Sequence, residues 1–161
     1  MECEGFEPGK QKCIIKNLIC SWKDNIYCFQ EIKIEEEIGS LVKDLWDNRW
    51  FKYRQLEASG TRGGILIMWN GKLCSGEISS LGTYSITCNL IGINEDLIWF
   101  LTCIYAPTSR EERKEVLWEV GSARGLFDGP WVVCGDFNTA RFPSKKKNYS
   151  RISRAKNVGL Y

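Results

Sequence analysis

Histidine is absent from this chain of 161 residues. No Ser-His-Asp or Cys-His pair can form within it, so any hydrolysis it performs must rest on carboxylates, tyrosine, lysine or a metal. The eight cysteines (Cys3, Cys13, Cys20, Cys28, Cys74, Cys88, Cys103 and Cys134) include no Cys-x-x-Cys pair. With no imidazole to complete a ligand set, a structural zinc site is not expected. No apolar run is long enough to cross a bilayer. The first twenty residues are broken by Glu2, Glu4, Glu7, Lys10, Lys12 and Lys16, which leaves no apolar stretch of the kind a signal peptide needs. These absences predict an intracellular protein, nuclear or cytoplasmic, with no membrane partner and no disulfide. Internal repeats are also absent.

What the chain does contain suits one domain with a packed core. Hydrophobic residues make up 43% and aromatic residues 12%, which argues against disorder. Cys28, Cys88, Cys103 and Cys134 fall inside apolar, strand-like runs, where a reduced thiol serves as a small hydrophobe. Charge is uneven. Residues 141–161 hold seven basic side chains (Arg141, Lys145, Lys146, Lys147, Arg151, Arg154 and Lys156) and no acidic one. Residues 1–140 hold fifteen basic side chains against all twenty acidic ones, a net −5. Such a basic tail suits either contact with phosphate or a solvated terminus.

Hydrophobic spacing predicts a helix over 10–23, with Ile14, Ile15, Leu18, Ile19 and Trp22 on one face. A short strand follows at 26–29, ending at Gln30-Glu31. A second helix is expected over 35–47, with Ile38, Leu41, Val42 and Leu45 in a stripe. Residues 50–56 read as a strand. Residues 59–64 (Ser-Gly-Thr-Arg-Gly-Gly) read as a turn whose glycines tolerate positive φ. Ile65 to Trp69 reads as a buried strand, and Asn70-Gly71 as a hairpin turn. Strands are expected at 73–79, 83–91 and 97–104, with Asn94-Glu95-Asp96 as a turn. Ser109 or Thr108 is placed to cap a helix over 110–124 that turns Val116, Leu117 and Val120 inward. Strand 131–134 comes last. The order α β α β β β β β α β suits sheets packed together with helices outside them.

Three strands end in groups that carry chemistry: Glu31 after 26–29, Tyr105 after 97–104, and Gly135-Asp136-Phe137-Asn138 after 131–134. A rigid sheet fixes side chains at such ends. Glu31 is a hard oxygen ligand suited to Mg²⁺. Asp136 is suited to orienting or deprotonating a water. Tyr105 and Asn138 are suited to hydrogen-bonding a phosphoryl oxygen as charge builds on it.

In this order, Gln30-Glu31, Tyr105-x-Pro107 and Gly135-Asp136-Phe137-Asn138 resemble the endonuclease/exonuclease/phosphatase family, the fold of exonuclease III and deoxyribonuclease I. The likeness is nearest to the N-terminal endonuclease domain of plant LINE-type (non-LTR) retrotransposons. It is carried by IIKNLICSWKDNIYCFQEIKIE, ASGTRGGILIMWNG, WFLTCIYAPTSREERKEVLWEV and WVVCGDFNTARFPS. The resemblance implies a four-layered α/β/β/α sandwich, truncated at both ends. It makes residues 10–145 a partial domain and 146–161 a basic C-terminal tail. It also implies hydrolysis of phosphodiesters, usually of DNA, with Mg²⁺ or Mn²⁺. Glu31 would be the metal-binding carboxylate and Tyr105 the phosphate-facing tyrosine. Asp136 would activate the water, and Asn138 would contact the scissile phosphate. Arg62, Arg141, Lys145, Lys146 and Lys147 would be weak contacts to nucleic acid.

Two departures from the family pattern matter. The family begins with a strand ending in an Asn that helps to bind metal, and MECEGFEPGK holds no such strand or Asn. The family's last strands carry an Asp and an Asp-His pair, and this chain has no histidine. Losing one preorganised donor costs about 10²–10³ in rate. The 161-residue chain is therefore expected to be inactive, or nearly so, by itself. The alternatives are a non-enzymatic nucleic-acid binder acting through the basic tail, and a phosphatase of the same fold.

Overall fold

The computed structural model describes residues 8–33, 38–46, 49–60 and 62–139. Its elements are α1 (Pro8–Trp22), β1 (Ile26–Ile32), α2 (Ile38–Leu45), β2 (Phe51–Leu56), β3 (Gly64–Asn70), β4 (Cys74–Leu81), β5 (Ser85–Gly92), β6 (Ile98–Tyr105), α3 (Arg110–Arg124) and β7 (Trp131–Asp136). That is the order expected from the hydrophobic spacing. The strands form two sheets, one in the order β1-β3-β2 and one in the order β4-β5-β6-β7. All pairs are antiparallel except β6 with β7. That parallel pair needs a crossover, and α3 supplies it.

The core explains the layering. In β3, successive side chains point to opposite faces of the sheet. Ile65, Ile67 and Trp69 pack against Ile86, Cys88, Leu90, Leu101 and Cys103 of the second sheet. Leu66 and Met68 pack the other way, against Ile19 of α1 and Val42 and Leu45 of α2. Both faces of β3 are thus covered, which is why 65–69 reads as an unbroken apolar run. On the far side of the second sheet, Ile104 and Phe100 meet Val116 and Ala123 of α3. The result is four layers: α1 and α2, the first sheet, the second sheet, then α3.

Several local expectations are corrected. Asn70-Gly71 does form a tight turn, with the Leu73 amide donating to the Asn70 carbonyl at 3.0 Å. It is not a hairpin, because β3 and β4 belong to different sheets. Gly71 is required there by a close approach, since a Cβ would lie 2.7 Å from the Trp50 carbonyl oxygen. On α1 only Ile15 and Ile19 pack inward, whereas Ile14, Leu18 and Trp22 are exposed. Each helical residue turns about 100°, so the 14-18-22 stripe lies away from the seam that Ile15 and Ile19 fill. On α3 Leu117 is likewise exposed, one position beyond the buried Val116. Ser109 is the N-cap of α3 but makes no side-chain cap bond; its hydroxyl donates to Glu111 instead.

Candidate functional site

The ends of β6 and β7 lie side by side, with Tyr105 opposite Asp136 in the parallel register and Cys103 opposite Cys134. Cys103 and Cys134 face the inter-sheet core. By the two-residue period of a strand, Tyr105 and Asp136 point the same way at its edge. Gly135 makes this register attainable. Its φ is +130°, and a Cβ would fall 2.0 Å from the Ile104 carbonyl oxygen. Beyond the strands, the Ala106 amide donates to the Asp136 carbonyl at 2.8 Å. The Asn138 amide N–H donates to Asp136 Oδ1 at 2.8 Å, a turn closed by a side chain. Asn138 Nδ2 donates to the Ala106 carbonyl at 2.5 Å. Asn138 itself sits at φ +47°, a conformation that Asn tolerates better than most residues.

Glu31 arrives from the other sheet. The strand expected to end at residue 29 continues to Ile32, but with a register shift between Phe29 and Ile32. Phe29 and Ile32 both pack on the helix side, whereas simple alternation would place them on opposite faces. The two residues between them are the irregularity. Gln30 turns inward and donates from Nε2 to Cys103 Sγ at 3.2 Å. Glu31 takes φ +58°, and its negative charge acts on Tyr105. A bulge of this kind re-aims a side chain. Tyr105 is held above its ordinary pKa, first by burial, then by the negative charge of Glu31 and the hydrogen bond to it, and last by Asp136. A phenol is neutral at neutral pH and so is available as a donor.

The glycine-rich turn supports this corner by space rather than by dihedral freedom. Of its three glycines only Gly60 has positive φ. A Cβ on Gly63 would lie 2.5 Å from Glu31 Cα and 3.2 Å from Tyr105 Cε1, and one on Gly64 would lie 2.8 Å from the Leu56 carbonyl oxygen. Gly63 therefore backs both functional residues. Arg62 donates to the Thr83 carbonyl at 3.0 Å and lies over the Tyr84 ring; the carbonyl of Tyr84 in turn accepts from the Tyr105 amide. Arg141, Lys145, Lys146 and Lys147 lie outside the described residues.

Glu31, Tyr105 and Asp136 are therefore brought to one edge of the sandwich, with Asn138 tying down the loop beside them. Glu31 and Asp136 are exposed. A surface recess of about 500 Å³ lies elsewhere, lined by β2, Ile38 and Ile78. An exposed carboxylate at this edge is a hard oxygen donor of the kind a divalent cation such as Mg²⁺ takes, alongside several waters. Glu31 is the carboxylate that would hold such an ion. Beneath them the structure shows a group that no sequence spacing announced. The sulfurs of Cys28, Cys103 and Cys134 all lie within 4.8 Å of one another. Hydrogen bonds from Cys103 and Cys28 draw the Cys134 thiol down, while Cys28 is pushed up.

The model of the endonuclease/exonuclease/phosphatase family matches residues 14–155. No curated protein matches the chain. Among solved structures, the human Nocturnin catalytic domain with bound sulfate is similar at 18% identity and a TM-score of 0.58, over 84% of this chain and 59% of that one. A family protein from Bacteroides thetaiotaomicron is similar at 13% identity and a TM-score of 0.63, over 81% and 55%. The mannosyl-6-phosphatase of the same bacterium is similar at 12% identity and a TM-score of 0.61, over 81% and 57%. At these identities the likeness is one of fold. The chain spans less than two thirds of the length of each of these structures.

Proposed function

The chain belongs to the endonuclease/exonuclease/phosphatase family, and from that premise we propose that it is the endonuclease-type domain of a plant LINE-type retrotransposon protein, directed at phosphodiesters of DNA. Enzymes of this family generally depend on a divalent metal. The observation that carries the reading is the convergence of Glu31, Tyr105 and Asp136 from two sheets on one open edge. The retroelement origin rests on the four segments quoted above. An open edge with exposed carboxylates suits a polymer that lies across it rather than a small molecule held in a pocket.

In this reading Glu31 would hold Mg²⁺ or Mn²⁺, and the ion would supply charge neutralisation at the phosphate. Tyr105, neutral at neutral pH, donates a hydrogen bond to a phosphoryl oxygen. Asp136 orients the attacking water and accepts its proton. Asn138 has one amide hydrogen committed to Ala106 and offers the other to the phosphate. Arg62 and the basic residues Arg141, Lys145, Lys146 and Lys147 supply charge along the DNA backbone.

Histidine is absent, so no imidazole stabilises the transition state or moves a proton. The 161-residue chain alone is therefore expected to give no Mg²⁺-dependent nicking of supercoiled plasmid above background. Nicking that disappears in Asp136→Ala would overturn that expectation. A second reading, a phosphatase of this fold, is favoured by the similar structure named as a mannosyl-6-phosphatase. It predicts release of phosphate from small phosphate esters, lost in Asp136→Ala, with no action on plasmid.

A further inference from the structure

We propose that Cys28, Cys103 and Cys134 form a buried site for a thiophilic divalent cation, Zn²⁺ or its analogue Cd²⁺, which staples the two sheets together. The three residues come from three strands, β1 of the first sheet and β6 and β7 of the second. Their sulfurs lie within 4.8 Å of one another. A tetrahedral cation bonded to sulfur at about 2.3 Å sets sulfurs about 3.8 Å apart, so closure needs side-chain shifts of only about 1 Å. Cys103 and Cys134 are neighbours in the parallel register, and the Gln30 amide already donates to the Cys103 sulfur. Such a donor offsets the negative charge of a bound thiolate. Cys28 and Cys134 are half-buried.

Soft sulfur donors select this class of ion over Mg²⁺ or Mn²⁺, so the site is chemically separate from the carboxylates above it. Binding forms three metal–sulfur bonds and releases the three thiol protons to solvent; no electron moves. A cation here would tie the strand carrying Glu31 to the two strands carrying Tyr105 and Asp136.

The test uses the full 161-residue chain, reduced and carrying Cys3→Ser, Cys13→Ser and Cys20→Ser to remove binding outside the triad. Cd²⁺ is titrated while its thiolate charge-transfer absorption is followed, and Zn²⁺ by displacement from a chromophoric chelator. The expected result is one ion per chain, with affinity lowered at least about a hundredfold in Cys103→Ser and in Cys134→Ser and unchanged in Cys74→Ser. Equal binding in the triad variants and the parent would overturn the proposal. Should Cys103→Ser fail to fold, the parent decides alone: thiolate charge-transfer absorption that saturates at one Cd²⁺ per chain supports the site, and its absence overturns it.

Discussion

Strand β7 brings Asp136 to the site by unbroken parallel pairing with β6, whereas β1 brings Glu31 there through a break in its pairing with β3. At the β7 end the unusual backbone falls to a glycine, Gly135 at φ +130°, where it costs little, and just beyond the strand to Asn138 at φ +47°, a conformation that Asn tolerates better than most residues. At the β1 end it belongs to the functional residue itself, Glu31 at φ +58°. A non-glycine residue in that region costs on the order of 1 kcal/mol and persists only where its surroundings hold it. Among the strand residues of the site, the contrast places the strain at Glu31, the acid that faces the tyrosine.

The largest expected effect tests the regular end. Gly135→Ala puts a Cβ 2.0 Å from a backbone oxygen at a φ of +130°, so it should destabilise the chain by more than about 3 kcal/mol. A melting curve like the parent's would show that β7 does not hold Asp136 in this register. Next comes the support of the irregular end. Gly63→Ala meets the Glu31 backbone at 2.5 Å and should cost about 2 kcal/mol while weakening divalent-cation binding. Gly60→Ala, strained at φ +60° but with nothing within 4 Å, should cost about 1 kcal/mol and leave cation binding unchanged. If the two alanines behave alike, Gly63 does not back the site. The smallest effect bears on the strain itself. Glu31→Gly should raise stability by up to about 1 kcal/mol while removing cation binding. A loss of stability on denaturant unfolding would erase the contrast between the two ends.

Much of the regular end was legible in the sequence. The apolar run of 131–134 followed by Gly-Asp-Phe-Asn marks a buried strand and its turn, and the same logic places Tyr105. The stripe of α2 was equally plain, because Val42 and Leu45 are the positions that meet Leu66 and Met68. The aim of Glu31 was not legible. Alternation from Tyr27 and Phe29, which face the helices, would put Glu31 on that side too, and only the bulge corrects it. Asn70-Gly71 announces a turn but says nothing of which sheet the next strand joins. The meeting of Cys28, Cys103 and Cys134 depends on the packing of one sheet on the other, so no local spacing contains it. Ile14, Leu18 and Trp22 misled for a related reason: an apolar stripe records affinity for cover, and the seam of α1 is narrower than its stripe.

The central proposal is that Glu31 holds a hard cation at the edge of the sandwich, beside Tyr105 and Asp136. Its most direct test is a calorimetric Mn²⁺ titration of the 161-residue chain and of Glu31→Gln, since Mn²⁺ prefers oxygen donors and bypasses the cysteines. One Mn²⁺ per chain is expected, with at least about a tenfold loss of affinity in Glu31→Gln and no loss of melting temperature. Equal affinity in the two proteins, both folded, would contradict the claim.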